Sequence, residues 1–181
     1  MTMTTFSLSL LLFLSHGMTL AAQHRDHDPD RHRQPYAGLE KHPVKALSAQ
    51  EMDDLQTGKG MGMALAAELN GYPGPRHVLD LDEALGLTER QRQTISALFG
   101  SMSREAIRAG AKVIEEEQRL EALFSSGKAE ETALEPILRR IGEARVELRR
   151  THLVYHLRTK ATLTLQQVAQ YNRLRGYAGD H

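Results

Sequence analysis

The chain has 181 residues, with 23 Lys plus Arg balancing 23 Asp plus Glu, nine His, nine aromatics and neither Cys nor Trp. That is one small domain at most, and the lack of cysteine excludes disulfides, Cys-ligated zinc, iron–sulfur clusters, thiol nucleophiles and a lipobox anchor. No GxxxxGK[ST] or GxGxxG occurs, so no nucleotide is expected, and zero net charge offers no basic excess for general nucleic-acid binding.

Residues 1–22 carry no charged side chain and run from Phe6 through Leu14 to Leu20-Ala21-Ala22. A short apolar core ending at small residues reads as a cleaved signal peptide; an uncleaved N-terminal membrane anchor is the alternative. Cleavage after Ala21 would leave Ala22-Gln23-His24, whose amine, amides and imidazole can chelate Cu(II) or Ni(II), although an ordinary leader junction explains the same residues. Residues 23–46 read as a disordered polar lead in which His24, His27 and His32 can bind metal only weakly. In 47–86 the expectation is short helices and a Gly/Pro loop. Ser48 with Glu51 makes a capping box, Met52 and Leu55 follow at helical spacing, and Gly58 and Gly60 stop the pattern. Met61–Leu69 is a short apolar stretch broken by Asn70–Pro75; His77–Leu85 predicts one helix with Val78, Leu81 and Leu85 on a face and Gly86 at its end.

Residues 87–177 carry two long helical patterns. Ile95, Phe99, Met102, Ala106, Ala109, Val113 and Leu120 form a heptad-like seam interrupted at Glu116, and a helix over Thr88–Phe124 would be about 55 Å long. After the breaker Ser125–Lys128, Leu134, Leu138, Ile141, Leu148, His152 and Tyr155 continue a second stripe, with Pro136 near the helix start. Two such helices joined by a short loop predict an all-α antiparallel hairpin with short flanking helices, in which positions summing to about 254 face each other, Met102 level with His152 among them.

Leu87-Thr88-Glu89-Arg90-Gln91 recurs as Leu163-Thr164-Leu165-Gln166-Gln167. Each is a helix start in which Thr caps the third amide and Gln reaches back. Two LTxxQ motifs bracketing a helical hairpin, behind an export signal and without cysteine, resemble the Spy/CpxP family of periplasmic stress proteins and the related heavy-metal-resistance sensors. The resemblance covers about His77–Tyr177. It implies a periplasmic, all-helical, non-enzymatic homodimer that binds a transition metal, holds unfolded envelope proteins or does both, with a membrane sensor protein as the other expected partner; the alternative is a structural or regulatory envelope protein that docks a sensor kinase or anti-sigma partner without metal. In the metal-sensing relatives a ligand pair lies on the long helix before the second LTxxQ, where His152 and His156 stand here.

No cofactor is obligatory on this reading, but Cu, Ni, Co or Zn is a possible ligand. His152 and His156 share a helix face, Met102 can add a thioether, and His77 or Glu68 can complete the site; the plainer alternative makes them packing residues. Met61 and Met63 are further thioethers that packing would also explain. Charge segregation supports client holding. Gln23–Gly86 has seven basic and eleven acidic residues, whereas Leu87–Tyr177 has sixteen and eleven, with Arg139, Arg140, Arg145, Arg149, Arg150 and Arg158 on the second long helix. A solvated face paired with Glu143 and Glu147 is the alternative. No nucleophile elbow, HExxH or carboxylate constellation is present, so no enzymatic activity is expected.

Overall fold

The structure, a computed structural model, describes residues 34–177; the signal segment, His24, His27, His32 and the Ala22-Gln23-His24 chelate lie outside the described residues. A 3-10 turn at Leu39–Lys41 precedes α1 (Ala49–Thr57), α2 (Leu65–Glu68), α3 (Pro75–Asp80), α4 (Asp82–Leu85), α5 (Glu89–Ser125), α6 (Glu131–Thr162) and α7 (Leu165–Leu174). The fold is all-α, with α5 and α6 packed as a long antiparallel hairpin and the short helices gathered at its base. No described helix is long and apolar enough to cross a membrane.

The helix starts follow local chemistry. Ser48, Thr88 and Thr164 each accept from the third helical amide, and Glu51, Gln91 and Gln167 return a side-chain bond to the cap amide. Each such cap is worth about 1 kcal/mol. Gly58 and Gly86 close α1 and α4 in the left-handed region, at φ 68° and 58°, which only glycine enters without strain. The single helix expected over His77–Leu85 is two, because the backbone breaks at Leu81 (φ −112°, ψ 19°); Val78 and Leu85 still reach one core. Pro136 stands at the sixth position of α6, beyond the first turn, where it removes the amide that would serve the Thr132 carbonyl.

The hairpin seam buries Ile95, Met102, Ala106, Ala109 and Val113, as the spacing predicts. Leu138 departs from expectation: it is 48% exposed, and its neighbour Ile137 is buried instead. Glu116, the interruption in the heptad pattern, is also buried. It receives Arg140 Nε at 2.9 Å from α6 and Arg119 at 2.9 Å from its own helix, while Arg145 reaches the buried Glu117 at 2.6 Å. These ionic cross-ties stand where two apolar knobs would otherwise meet.

Two apolar clusters hold the base. Val44, Leu47 and Leu55 pack on Ala106, Ala109, Val113 and Leu148, so Val44, placed in the polar lead by the sequence pattern, belongs to the core. Gly110 permits this approach: a β-carbon there would lie 2.3 Å from the Leu55 carbonyl oxygen. Val78, Leu85, Leu87, Ile95 and Tyr171 form the second cluster. Here the two LTxxQ motifs meet. Gln91 Nε2 donates to Gln167 Oε1 at 2.9 Å and Gln167 Nε2 to Gln91 Oε1 at 3.1 Å, and the same amides donate to the Thr162 and Leu85 carbonyls at 3.0 and 3.3 Å.

Candidate functional site

A cavity of about 490 Å³ opens at the base of the hairpin, and His152, His156, His77, Met102 and Glu68 all line it. These five are the candidate metal ligands of the sequence, drawn from α2, α3, α5 and α6. The hairpin delivers Met102 and His152: Tyr155 donates to Glu105 across the same pair of helices, and Gln91 meets the Thr162 carbonyl lower down. The Asn70–Pro75 loop and α3 supply the opposite wall, and the glycine-rich Thr57–Gly62 segment crosses the mouth.

Glu68, at 4% exposed, is the hub of this base. Tyr171 donates its hydroxyl to Oε1, the Gly74 amide donates to Oε2 at 3.1 Å, His77 Nδ1 stands 3.3 Å from Oε1, and Arg175 lies 3.9 Å away. Burial alone would raise this carboxyl. The bonds from His77 and Tyr171, the His77 charge and the Gly74 amide outweigh it and hold the group at about 2. Tyr171 moves the other way: burial, then its bond to the Glu68 carboxylate, pushes the phenol well above its ordinary value. A carboxylate so committed is better placed to orient histidines than to bind an ion itself, which revises the ligand role that the sequence alone assigns to Glu68.

The histidines occupy three different environments. His156 Nδ1 is 2.7 Å from the Tyr72 carbonyl oxygen and 3.6 Å from Glu68 Oε2; both oxygens only accept, so Nδ1 carries a proton. Gly74 makes room for that ring, since a β-carbon there would lie 2.9 Å from His156 Nε2. His152 is 3% exposed, and its Nε2 is buried with no hydrogen-bond partner. Burial and the neighbouring His156 push His152 below the ordinary histidine range, so its ring is neutral at pH 7. His77, with a side chain 42% exposed, stands at the rim.

His152, His156 and Met102 share the lining of one cavity, and the buried Nε2 of His152 has no hydrogen-bond partner among the described residues, the kind of unsatisfied group that calls for an explanation. Among the described residues no three His, Asp or Glu side chains are grouped so that they could hold a metal ion. Met61 lines the cavity, whereas Met63 packs on the core around Leu55 and Ala106. The sequence pattern passed over Tyr171, the Tyr72 carbonyl and Gly74. Tyr171 carried the one visible signal, falling three residues after the apolar Val168 on the helix that Thr164 caps.

The arginines of α6 divide into two groups. Arg140 and Arg145 are tied to Glu116 and Glu117, and Arg158 lies over the Tyr155 ring at 4.9 Å. Each of these three thus has a partner within the chain, while its side chain stays partly exposed. Arg139 and Arg150 make only loose helical pairs with Glu135 and Glu147, at 3.4 and 3.7 Å, and Arg149 shows no ion pair among the described residues. Two of the four Glu partners thus lie across the hairpin and two on α6 itself, Glu147 among them.

No protein-family model matches the chain, and neither a curated protein nor a solved structure matches it.

Proposed function

We propose that this is a non-enzymatic, exported helical protein of the periplasmic stress type, which binds a transition metal at the base of its hairpin. One observation carries the reading: His152, whose buried Nε2 has no hydrogen-bond partner among the described residues, lines a cavity together with His156, His77, Met102 and Glu68. Residues from four separate helices converge there, and the backbone carbonyl of Tyr72 sets the tautomer of His156 as outer partners of metal-binding histidines commonly do. The protein works as a homodimer and transmits metal occupancy to a membrane sensor or to its clients.

Titration of the purified protein with Cu, Ni, Co and Zn, beside His152→Ala/His156→Ala and a variant lacking 23–34, tests this. Binding of one ion per chain, lost in the double variant and kept in the truncation, is the expected result. Absence of binding, or binding lost only with the lead, overturns it.

The second reading, holding of unfolded envelope proteins or docking of a partner without metal, draws on a different feature. Leu138, Val146 and Leu157 stand 48, 68 and 54% exposed on α6 beside Arg139, Arg149 and Arg150. Apolar contacts among loosely held cations suit weak, multi-site capture of acidic chains. Suppression of client aggregation in metal-free buffer, weakened by salt, is its signature.

A further inference from the structure

We propose that the cavity selects a soft monovalent ion, Cu(I) or Ag(I), over divalent ions, with His152 Nε2 and Met102 as its inner donors and His156 Nε2 as the third. This rests on the metal reading above and names its ligand class. Three observations on the cavity support it.

The first is the donor set. Zinc, nickel and cobalt want four to six nitrogen or oxygen donors, often with a carboxylate or water among them. Here the carboxylate oxygens of Glu68 are already taken by Tyr171, Gly74 and His77, and no His/Asp/Glu trio is grouped among the described residues. What remains is imidazole and thioether, and thioether donors favour soft ions such as Cu(I).

The second is the lining. Met102 and Ala64 are 8% exposed and Pro75 and Phe99 share the inner walls, while the exposed Leu65 and the cations Lys59 and Arg76 stand on the same lining, so an ion moving inward meets a partly apolar surface already carrying positive charge. The solvation cost of a charge rises with its square, and a monovalent ion therefore enters such surroundings at a fraction of the cost of a divalent one.

The third is the mouth. Met61 sits between Gly60 and Gly62 at φ 47°, a left-handed conformation rare for a methionine, and its side chain both lines the cavity and remains 38% exposed. Backbone strain held at a cavity entrance is a feature of sites rather than of packing. A second thioether is thus presented where an ion would first arrive.

The test uses the full mature chain carrying His24→Ala, His27→Ala and His32→Ala, so that the lead contributes no ligands. Cu(I) is titrated under ascorbate against bicinchoninate, Ag(I) by calorimetry, and Zn(II), Ni(II) and Co(II) each alone. One Cu(I) or Ag(I) per chain, bound at least tenfold more tightly than any divalent ion, is the expected result. Met102→Leu should weaken Ag(I) tenfold or more without changing the helical circular dichroism. In the unsubstituted site, the Met102 ε-methyl resonance should move on addition of one equivalent of Ag(I), a readout that does not depend on a variant folding. Tighter binding of any divalent ion, or an unmoved Met102 methyl with wild-type Ag(I) affinity in Met102→Leu, overturns the monovalent assignment alone when His152 and His156 still prove necessary for divalent binding. If no ion of either class binds at one per chain, the metal reading falls with it.

Discussion

The tip and the base of the hairpin are made from the same two helices by different means. Toward the turn, α5 and α6 meet through a repeating small and branched seam, and where the seam fails at Glu116 and Glu117 it is closed by Arg140 and Arg145. At the base the hairpin is wrapped by five short helices, and its stability depends on single groups brought from far apart in sequence: Glu68 with Tyr171, His156 with Tyr72, Gln91 with Gln167. The tip is therefore tolerant and periodic, whereas the base is exacting and holds the one buried imidazole nitrogen left without a partner beside a cavity. Regular helix pairing supplies a frame; irregular packing on that frame supplies chemistry.

The sharpest way to break this contrast is Gly110→Ala. Alanine favours a helix interior over glycine by about 1 kcal/mol, so propensity alone predicts a more stable protein. The 2.3 Å approach of the Leu55 carbonyl predicts the opposite, a loss of about 3 kcal/mol by overpacking as α1 is pushed off α5. Urea unfolding decides the sign, and stabilisation would show that α1 does not hold the base.

Glu68→Gln comes next. It should cost about 2 kcal/mol at pH 7, because the buried Tyr171 hydroxyl and the Gly74 amide lose their charged acceptor. The wild-type carboxyl is held near 2 against 4.5 when free, so its contribution is complete above about pH 5 and is lost as the pH falls toward 2. Thermal melts across that window should converge for wild type and Glu68→Gln at the acid end and diverge above it.

At the tip, Arg145→Ala should cost only about 1 kcal/mol, since the arginine is half-exposed and its attraction is screened, and the loss should shrink in high salt. Thr164→Ala removes the cap of α7 for a similar cost of about 1 kcal/mol, yet its effect should spread to the neighbouring cavity, read as a changed His152 imidazole resonance; Arg145→Ala should leave that resonance unmoved. Smallest of all, Arg149→Ala should alter stability by less than about 0.5 kcal/mol while lowering any salt-sensitive client holding.

Much of the frame was readable from residue spacing. The capping boxes at Ser48, Thr88 and Thr164, the stops at Gly58 and Gly86, and the buried faces of α5 and α6 are local consequences of side chains within one or two turns. Leu138 misled because an apolar residue at helical spacing can belong to either of two adjacent stripes, and only packing against α5 shows that Ile137 faces inward. Glu116 looked like an interruption because its partner Arg140 lies on the other helix. Within the site, the ligand candidates could be found by spacing and residue type. Tyr171 and Gly74 could not: their roles arise from contact with Glu68 and His156, which no periodicity encodes.

The pairing of the two capping glutamines bears on the order in which the molecule can assemble. The turn between α5 and α6 joins neighbours, and a hairpin of such local contacts forms early and fast. The Gln91–Gln167 lock spans 76 positions and the Glu68–Tyr171 bond 103, so neither exists until α7 has returned to the foot of the hairpin. A chain emerging from its N-terminal end therefore possesses His152, His156 and Met102 on a folded frame before Glu68 gains its Tyr171 partner. The foot is completed last, and a chain that fails to bring α7 home leaves the Glu68 carboxylate without that hydroxyl.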